Sequence, residues 1–349
     1  MPLKTLKLFF VSLPFSILIE GASFSYTVSG TPPRKEIESK FAFEINKDFD
    51  DKEFTSEIHQ LITKNLKKFQ FGKNSLCKMS IDSTPQSFAF LDYYYDTNDQ
   101  DILKASSAYR LRYRWSNFMD YVRSRLFPVS SLFRPTRVEI QSKIGYKETE
   151  DGKLETTETR FEFRKEASPF IDGARLPPID WAHENYENVL TSGTYLGYKI
   201  YPKVVLEDEL KVSGDLANTV TLLTKRNRMH INCKSPFGTG PNPDQLFIIT
   251  ADRIYCEKGC SDSYKPSIEI EIERERNTST MLDTIASYTE PDVFGNELIA
   301  KEAIEYAKSV KAVYDSDHLF LSYLVRSYLK GQDLKILTPN YKYKRFAKK

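Results

Sequence analysis

Apolar and polar residues alternate with a period of two along much of the chain, the signature of strands with one face turned to a core. Arg34–Ile45, Phe88–Tyr95, Ala108–Trp115, Arg137–Lys147, Glu155–Lys165, Lys203–Val212, Val220–Asn232, Leu246–Tyr255 and Pro266–Arg274 all read this way. A polar turn, Asn98–Asp101, separates the second and third of these, and Asp151-Gly152 sits where a hairpin between the fourth and fifth needs a tight turn. The period changes in Asp51–Phe69, where Phe54, Ile58, Leu61, Ile62, Leu66 and Phe69 share one helical face. Thr278–Lys330 is also helical, and its stretch Asp317–Lys330 carries apolar residues at the spacing of a helix docked on an outer wall. Two stretches are irregular: Asn117–Phe133, rich in Phe, Arg and Ser, resembles an insertion, and Pro169–Tyr198 is a long connection with room for one short helix. No internal repeat is present. Strand-like segments with helices grouped after the first strand and at the end predict a β-rich α+β protein with a single sheet or barrel.

The first residues change the expected compartment. Lys4 and Lys7 precede an apolar stretch, Leu8–Ile19, which is followed by Gly21-Ala22-Ser23, the arrangement of a secretory signal peptide over residues 1–25. The stretch is too short to span a bilayer and is interrupted by Pro14, so no stable membrane insertion is expected after its removal. The protein is therefore expected to be exported, periplasmic or secreted. Cys77, Cys233, Cys256 and Cys260 suit an oxidising compartment and allow three complete pairings; a local bridge between Cys256 and Cys260 is favoured. Neither a second closely spaced cysteine pair nor paired histidines accompany Cys256 and Cys260, so zinc is not expected.

Composition adds less than placement. Fifty Lys and Arg against 48 Asp and Glu give a net charge of +2, which excludes general disorder and argues against whole-chain binding to nucleic acid. The 21 Tyr and 23 Phe suit strands. Within the strands the charges follow a pattern. Glu36, Glu38 and Lys40 share one face, as do Arg110, Arg112 and Arg114, then Arg160, Glu162 and Arg164, then Arg226 and Arg228, and finally Glu269, Glu271 and Glu273. Any one such strand is an ordinary half-exposed strand with its charges in water. Five of them, sorted by sign, point instead to a barrel with charge inside, and burying so much charge requires partners or a ligand. Clustered carboxylates chelate hard divalent cations, and clustered arginines grip phosphate oxygens.

Glu36-Ile-Glu38-Ser-Lys40 resembles the Glu-x-Glu-x-Lys signature of the CYTH superfamily, the triphosphate tunnel metalloenzymes. Tyr94-Tyr95-Asp96-Thr97 followed by Leu111-Arg112-Tyr113-Arg114 is similar to a second motif pair of that family, and Lys143, Arg160, Glu162, Arg226, Arg228, Asp252, Glu269 and Glu271 follow in its order. The resemblance covers roughly Arg34–Ser287. It implies an α+β fold built on an eight-stranded antiparallel β-barrel, a tunnel with charged interior, flanking helices and a C-terminal helical extension. The implied tunnel domain spans residues 34–290, with insertions near 116–134 and 167–200, and residues 291–349 form the extension and a basic tail. The resemblance further implies Glu36, Glu38, Glu269 and Glu271 as ligands of Mg²⁺ or Mn²⁺, with Glu273 or Glu162 as further candidates. Lys40, Arg112, Arg114, Lys143, Arg160, Arg226 and Arg228 become the substrate cradle, and Glu36, Glu38 and Lys40 the catalytic group. The long connections leave open which of Lys203, Lys225, Arg226 and Arg228 enters the tunnel, with Arg110 and Arg164 as substitutes in a shifted register.

The expected activity is metal-dependent hydrolysis of tripolyphosphate, polyphosphate or an organic triphosphate. The alternatives are a non-catalytic polyphosphate- or polyanion-binding protein and, ranked lower because export makes an ATP supply doubtful, polyphosphate polymerisation or adenylate cyclisation. Asn117–Phe133 is read as a helix packed on the barrel, with a lid or membrane-surface segment as the alternative. The tail cations Lys342, Lys344, Arg345, Lys348 and Lys349 are read as a solvated terminus, with a weak polyanion contact as the alternative.

Overall fold

The computed structural model describes residues 26–45, 48–74, 77–127, 134–149, 153–165, 183–234, 244–261, 264–274, 297–332, 334, 336–337 and 342–347. Residues 1–25, expected as a signal peptide, the Asp151-Gly152 turn, residues 128–133, residues 169–182 of the Pro169–Tyr198 connection and the first part of the last helical segment lie outside them.

Eight long strands form the frame: β1 Tyr26–Glu44, β2 Gln86–Asp96, β3 Ala108–Trp115, β4 Arg137–Glu148, β5 Leu154–Lys165, β6 Ala217–Lys234, β7 Asp244–Lys258 and β8 Ser267–Arg274. Every neighbouring pair is antiparallel, in the order β1-β5-β4-β3-β2-β6-β7-β8, and β8 returns to β1 through Glu38↔Glu273 to Glu44↔Ser267. The sheet therefore closes, leaving no edge in the ring. This closed eight-stranded antiparallel barrel, with flanking helices and a C-terminal helix, is the tunnel fold that the resemblance implies. A short strand, Lys78–Ile81, continues along β6 past the end of β2.

Outer faces of the strands carry the apolar residues, and two cores lie outside the barrel. Ile268, Ile270 and Ile272 of β8, with Phe43, Met229 and Phe247, are covered by α1 (Asp51–Asn65) and the long C-terminal α5 (Glu297–Gly331). Helix α1 begins where the Asp50 carboxylate accepts the Lys52 and Glu53 amides, and α5 is pinned through Asp317, whose carboxylate accepts the Gln70 and Phe71 amides at 2.6 and 3.0 Å. On the far side α2 (Phe118–Leu126), α3 (His183–Ser192) and α4 (Tyr201–Leu210) cover Leu111, Val138, Ile140 and Phe163. Lys203–Val212, expected as a strand, is instead helical from Lys203 to Leu210, within α4, and Lys211 ends that helix. Pro202 in the first turn presets a helical φ, and Leu206 is buried against the wall, so packing overrides the β-branched Val204 and Val205. Among the described residues no helix is long and apolar enough to cross a membrane.

Two disulfides join Cys77 to Cys233 and Cys256 to Cys260, the second being the local bridge expected. Gly259, within that small loop, has φ +75°, and a Cβ there would lie 1.9 Å from the Thr219 carbonyl oxygen, so only glycine fits the turn. The first bridge closes a span of 156 residues, and constraining the unfolded chain over such a span is worth about 3–5 kcal/mol. Replacing Cys77 and Cys233 together by Ala is expected to lower the urea midpoint clearly, and replacing Cys256 and Cys260 to lower it much less. Equal losses from both pairs count against this account.

Candidate active site inside the barrel

Residues paired across antiparallel strands share a face, so the register alone lines the tunnel. Glu36 pairs with Thr156, Lys40 with Glu271, Arg110 with Gln141, Arg112 with Glu139, Lys143 with Glu158, and Arg226 with Asp252. Following these pairs round the ring brings all of Glu36, Glu38, Lys40, Arg112, Arg114, Lys143, Arg160, Arg226, Arg228, Glu269 and Glu271 to the inner face. Arg110 and Arg164 are inward too, with no shift of register. Lys203 lies on α4 outside the barrel, and Lys225 points outward to Asp51 at 2.7 Å.

The inner charges interleave and pair directly, rather than standing as two opposed walls. Lys40 bridges Glu38 at 2.7 Å and Glu271 at 3.1 Å, while Lys143 binds Glu36 and lies 3.7 Å from Glu38. Arg226 grips Asp252 through two bonds of 2.6 Å and reaches Glu271 at 2.9 Å. Asp92 receives Arg112 through bonds of 2.6 and 2.8 Å, and Arg110 donates to Gln141 and to the Tyr94 hydroxyl. Arg160 pairs with Glu158 at 2.7 Å. Each is a buried pair that would be costly to break from one side. Asp92, the inward partner of Arg112, was not singled out from the sequence. Its signal is the alternation Asp92, Tyr94, Asp96 on one strand face.

One open cavity of ≈ 440 Å³, counting the space that faces solvent, lies among these groups. Glu36, Lys40, Arg112, Lys143, Arg160, Arg226 and Glu271 of the expected site line it, together with Arg110, Tyr94, Tyr146 and Glu273. Glu38 is fully buried behind Lys40 and Lys143. Glu269 is buried at one end of the tunnel, where Lys342 lies 3.6 Å and Arg345 3.0 Å away. Of the basic tail, Lys342–Phe346 forms a short helix, α6, docked on the barrel rather than solvated: Lys342 binds Asp252 at 2.5 Å, and only Lys344 of its cations is exposed.

At the other end the balance differs. Arg137 pairs with Glu139 at 3.0 Å, and Arg164 with Glu162 at 2.7 Å. Arg114 and Arg228 make no ion pair among the described residues, and both guanidinium carbons lie over the Phe88 ring, 4.1 and 5.3 Å from its centroid. Arg112 and Arg226 flank Phe90 in the same way at 4.5 and 5.2 Å. Burial, reinforced by Arg137 and Arg228, pulls the Arg114 pKa down to about 9, and burial with Arg226 pulls Arg228 to about 10.

The carboxylates divide into two kinds. Burial alone would raise the Glu139 pKa, yet Arg160, Arg112 and Arg137 outweigh it and hold it at about 2. Asp92 is likewise held below the carboxylate range, its burial outweighed by Arg112 and Arg110. A carboxylate with a depressed folded pKa stabilises above its unfolded value of about 4.3 and loses that contribution as pH falls toward about 2. Stability measured by urea midpoint is therefore expected to drop between those limits, and Glu139→Gln to flatten the drop. An unchanged acid slope in the variant would remove Glu139 from the account.

Glu38 is the other kind. Burial pushes it well above the usual range against the pull of Lys143 and Lys40, and Glu271 adds to the rise, while Glu271 itself is held low because Lys40 and Arg226 outweigh its burial. Two carboxyl groups gathered on one lysine, Lys40, form a place where a hard divalent cation fits. Asp252, Glu269 and Glu271 also offer oxygens within 4.8 Å of one another, which adds Asp252 to the expected ligand set.

No protein-family model matches the sequence, and no curated protein matches it. Solved structures similar to it in shape include a candidate adenylyl cyclase from Hippeastrum with a dominant triphosphatase activity, at 15% identity over 87% of this chain and 90% of that one, TM-score 0.35. A candidate adenylate cyclase from Bacillus halodurans matches at 14% identity over 89% and 97%, TM-score 0.35. The mimivirus capping-enzyme triphosphatase matches at 11% identity over 72% and 87%, TM-score 0.25. What the barrel does chemically follows from its own side chains.

Proposed function

We propose that the protein is an exported, metal-dependent phosphohydrolase that removes a terminal phosphate from tripolyphosphate, polyphosphate or an organic triphosphate held inside the barrel. The observation that carries this reading is the cavity in which Lys40, Lys143, Arg110, Arg112, Arg160 and Arg226 converge beside Glu36 and Glu271. Many fixed cations around one small space suit an oligophosphate, and carboxylates in the same space add nothing to anion binding alone. The apolar leader and the two disulfides support export.

Glu36, Glu38, Glu269 and Glu271, with Asp252, would hold Mg²⁺ or Mn²⁺. Such an ion, when bound, offsets charge on the phosphate oxygens and acidifies water. Lys40 and Lys143 then exchange carboxylate partners for the terminal phosphate, and Arg112 and Arg226, braced on Phe90, hold the next one. Arg114 and Arg228 receive the outer part of the chain. Water oxygen bonds to the terminal phosphorus, and the bridging P–O bond breaks with its electron pair left on the shortened chain. The water proton passes to solvent.

Purified mature protein is expected to release orthophosphate from tripolyphosphate with Mg²⁺ or Mn²⁺ and to stop when the metal is chelated. No turnover of any triphosphate with either metal would refute the enzymatic reading. Arg114 and Arg228, which make no ion pair among the described residues and need no metal to hold a phosphate, favour a second reading, a polyphosphate-binding protein without catalysis. Salt-sensitive binding of tripolyphosphate in chelator without turnover upon adding metal selects it. Nucleic acid is expected to bind under neither reading.

A further inference from the structure

We propose that Phe88 and the two arginines beside it, Arg114 and Arg228, form a further phosphate subsite at a mouth of the barrel, so that the substrate is an inorganic polyphosphate longer than three phosphates rather than a nucleoside triphosphate. This rests on the phosphohydrolase reading of the cavity and narrows its substrate class. Phe88 acts through the arginines and is a positioning residue.

Strand β2 lies between β3 and β6, so its inward side chains stand between two columns of arginine, Arg112 and Arg114 on one side and Arg226 and Arg228 on the other. Two strand spacings put the columns roughly 10 Å apart. Strands β3 and β6 run the same way, since each is antiparallel to β2. Arg114 and Arg228 therefore both lie beyond Arg112 and Arg226 in one direction, by roughly 7 Å. Arg112 and Arg226 line the cavity, and the outer pair does not. Along β2 in that direction exposure rises, from Phe90 at 2% through the half-buried Phe88 to the exposed Gln86, which marks the mouth.

The two pairs of arginines have different partners. Asp92 takes Arg112 through two hydrogen bonds, and Asp252 takes Arg226 in the same way. Phe88 offers Arg114 and Arg228 only a ring, with the guanidinium carbons 4.1 and 5.3 Å from its centroid. A ring face attracts a cation without accepting its N–H groups as a carboxylate does, so the donor forks stay unused. Neither guanidinium makes a hydrogen bond or ion pair among the described residues, and the Arg228 Nε is buried without a partner. Such a donor costs free energy until an anion supplies oxygens. Burial and neighbouring guanidiniums accordingly oppose the charge on both arginines. A nucleoside triphosphate with its terminal phosphate at Lys40 and Lys143 would bring a sugar and a base here, and neither neutralises two guanidiniums. Nor is a ring left free for a base to stack on, because cations from both columns already flank Phe88 and Phe90. A condensed phosphate chain carries charge on every unit, and its later phosphates satisfy both forks.

The test is calorimetry in chelator with a long linear polyphosphate, tripolyphosphate and ATP, on the natural protein, Phe88→Asp and Phe88→Tyr. The natural protein is expected to bind the long chain roughly a hundredfold more tightly than tripolyphosphate, through charge-assisted contacts to two further arginines, and ATP no more tightly than tripolyphosphate. A long chain also has more registers in which to bind, but that statistical gain leaves the salt dependence alone. The subsite should steepen the slope of log affinity against log salt by about one for each arginine engaged. Phe88→Asp gives the outer pair the kind of partner that Asp92 gives Arg112, and should abolish the difference between long chain and tripolyphosphate in both affinity and slope. Phe88→Tyr keeps the ring and should keep the difference. In turnover with Mg²⁺ or Mn²⁺, Phe88→Asp should raise KM for the long chain more than it lowers kcat. Equal affinity and slope for the two phosphates, tighter binding of ATP than of tripolyphosphate, a difference that survives in Phe88→Asp, or its loss in Phe88→Tyr overturns the subsite and leaves the phosphohydrolase reading standing. The expected order of binding without hydrolysis under either metal overturns that reading and leaves the subsite. Binding of none of the probes overturns both. Should Phe88→Asp fail to fold, the three probes with the natural protein decide alone.

Discussion

Glu38→Gln is expected to lower metal-dependent phosphate release from tripolyphosphate by about 10²–10³-fold while leaving the protein at least as stable as before. The two readouts separate because of where Glu38 sits. Its environment disfavours the ionised carboxyl: burial raises the pKa, and Lys143 and Lys40 only partly oppose this. A neutral amide of the same shape removes that cost. The two lysines keep partners, since Lys40 still reaches Glu271 at 3.1 Å and Lys143 still binds Glu36. A raised folded pKa in an acid contributes stability below its unfolded value and loses it as pH rises through the folded one. The natural protein should therefore exceed the variant in relative stability only toward acid, and the advantage of Gln should be largest at neutral pH and above. Activity has no such compensation, because the amide cannot carry the charge that a divalent cation needs. A variant that retains full turnover removes Glu38 from the site, and one that loses both turnover and fold makes it a structural residue.

The tunnel was legible because a strand repeats its facing every second residue. Glu36, Glu38 and Lys40, or Arg110, Arg112 and Arg114, announce a charged face with no knowledge of the neighbouring strand. What that face meets depends on register, which is a long-range property. Asp92 receives Arg112 because β2 and β3 pair at that position, and Asp252 receives Arg226 because β6 and β7 do. Neither pairing leaves a local mark, so the sorting by sign suggested two opposed walls where the fold interleaves them. Lys203–Val212 shows the converse failure. Its branched residues match a strand, and Pro202 and burial of Leu206 against the barrel decide for a helix. The basic tail is the largest revision, for α6 has only 5 residues and five cations crowd residues 342–349. Such a segment reads as solvated, and only the acidic end of the barrel, assembled from β7 and β8, gives Lys342 a reason to be buried and Arg345 a reason to lie against Glu269.

Replacing Arg114 and Arg228 together by Gln is expected to move stability and affinity in opposite directions. Burial and neighbouring guanidiniums pull both pKa values down, to about 9 and about 10, so charging these groups opposes folding throughout the neutral range. For a base with a lowered folded pKa the folded state gains as pH rises through that value, and at neutral pH the full cost is present. Glutamine removes it, and the unfolding temperature without ligand should rise. The Phe88 ring, which both guanidiniums flank, keeps its apolar contacts with the shorter side chains. Binding tells the other half. Each lost charge-assisted contact weakens a polyphosphate by about tenfold or more, and each lost phosphate contact should reduce the slope of log affinity against log salt by about one. The thermal shift produced by saturating polyphosphate should therefore shrink in the variant even though its starting point is higher. Tripolyphosphate, whose terminus sits at the inner lysines, should lose less than a long chain. If the variant is instead less stable without ligand and binds polyphosphate as the natural protein does, the two arginines are structural and the substrate does not enter by that mouth.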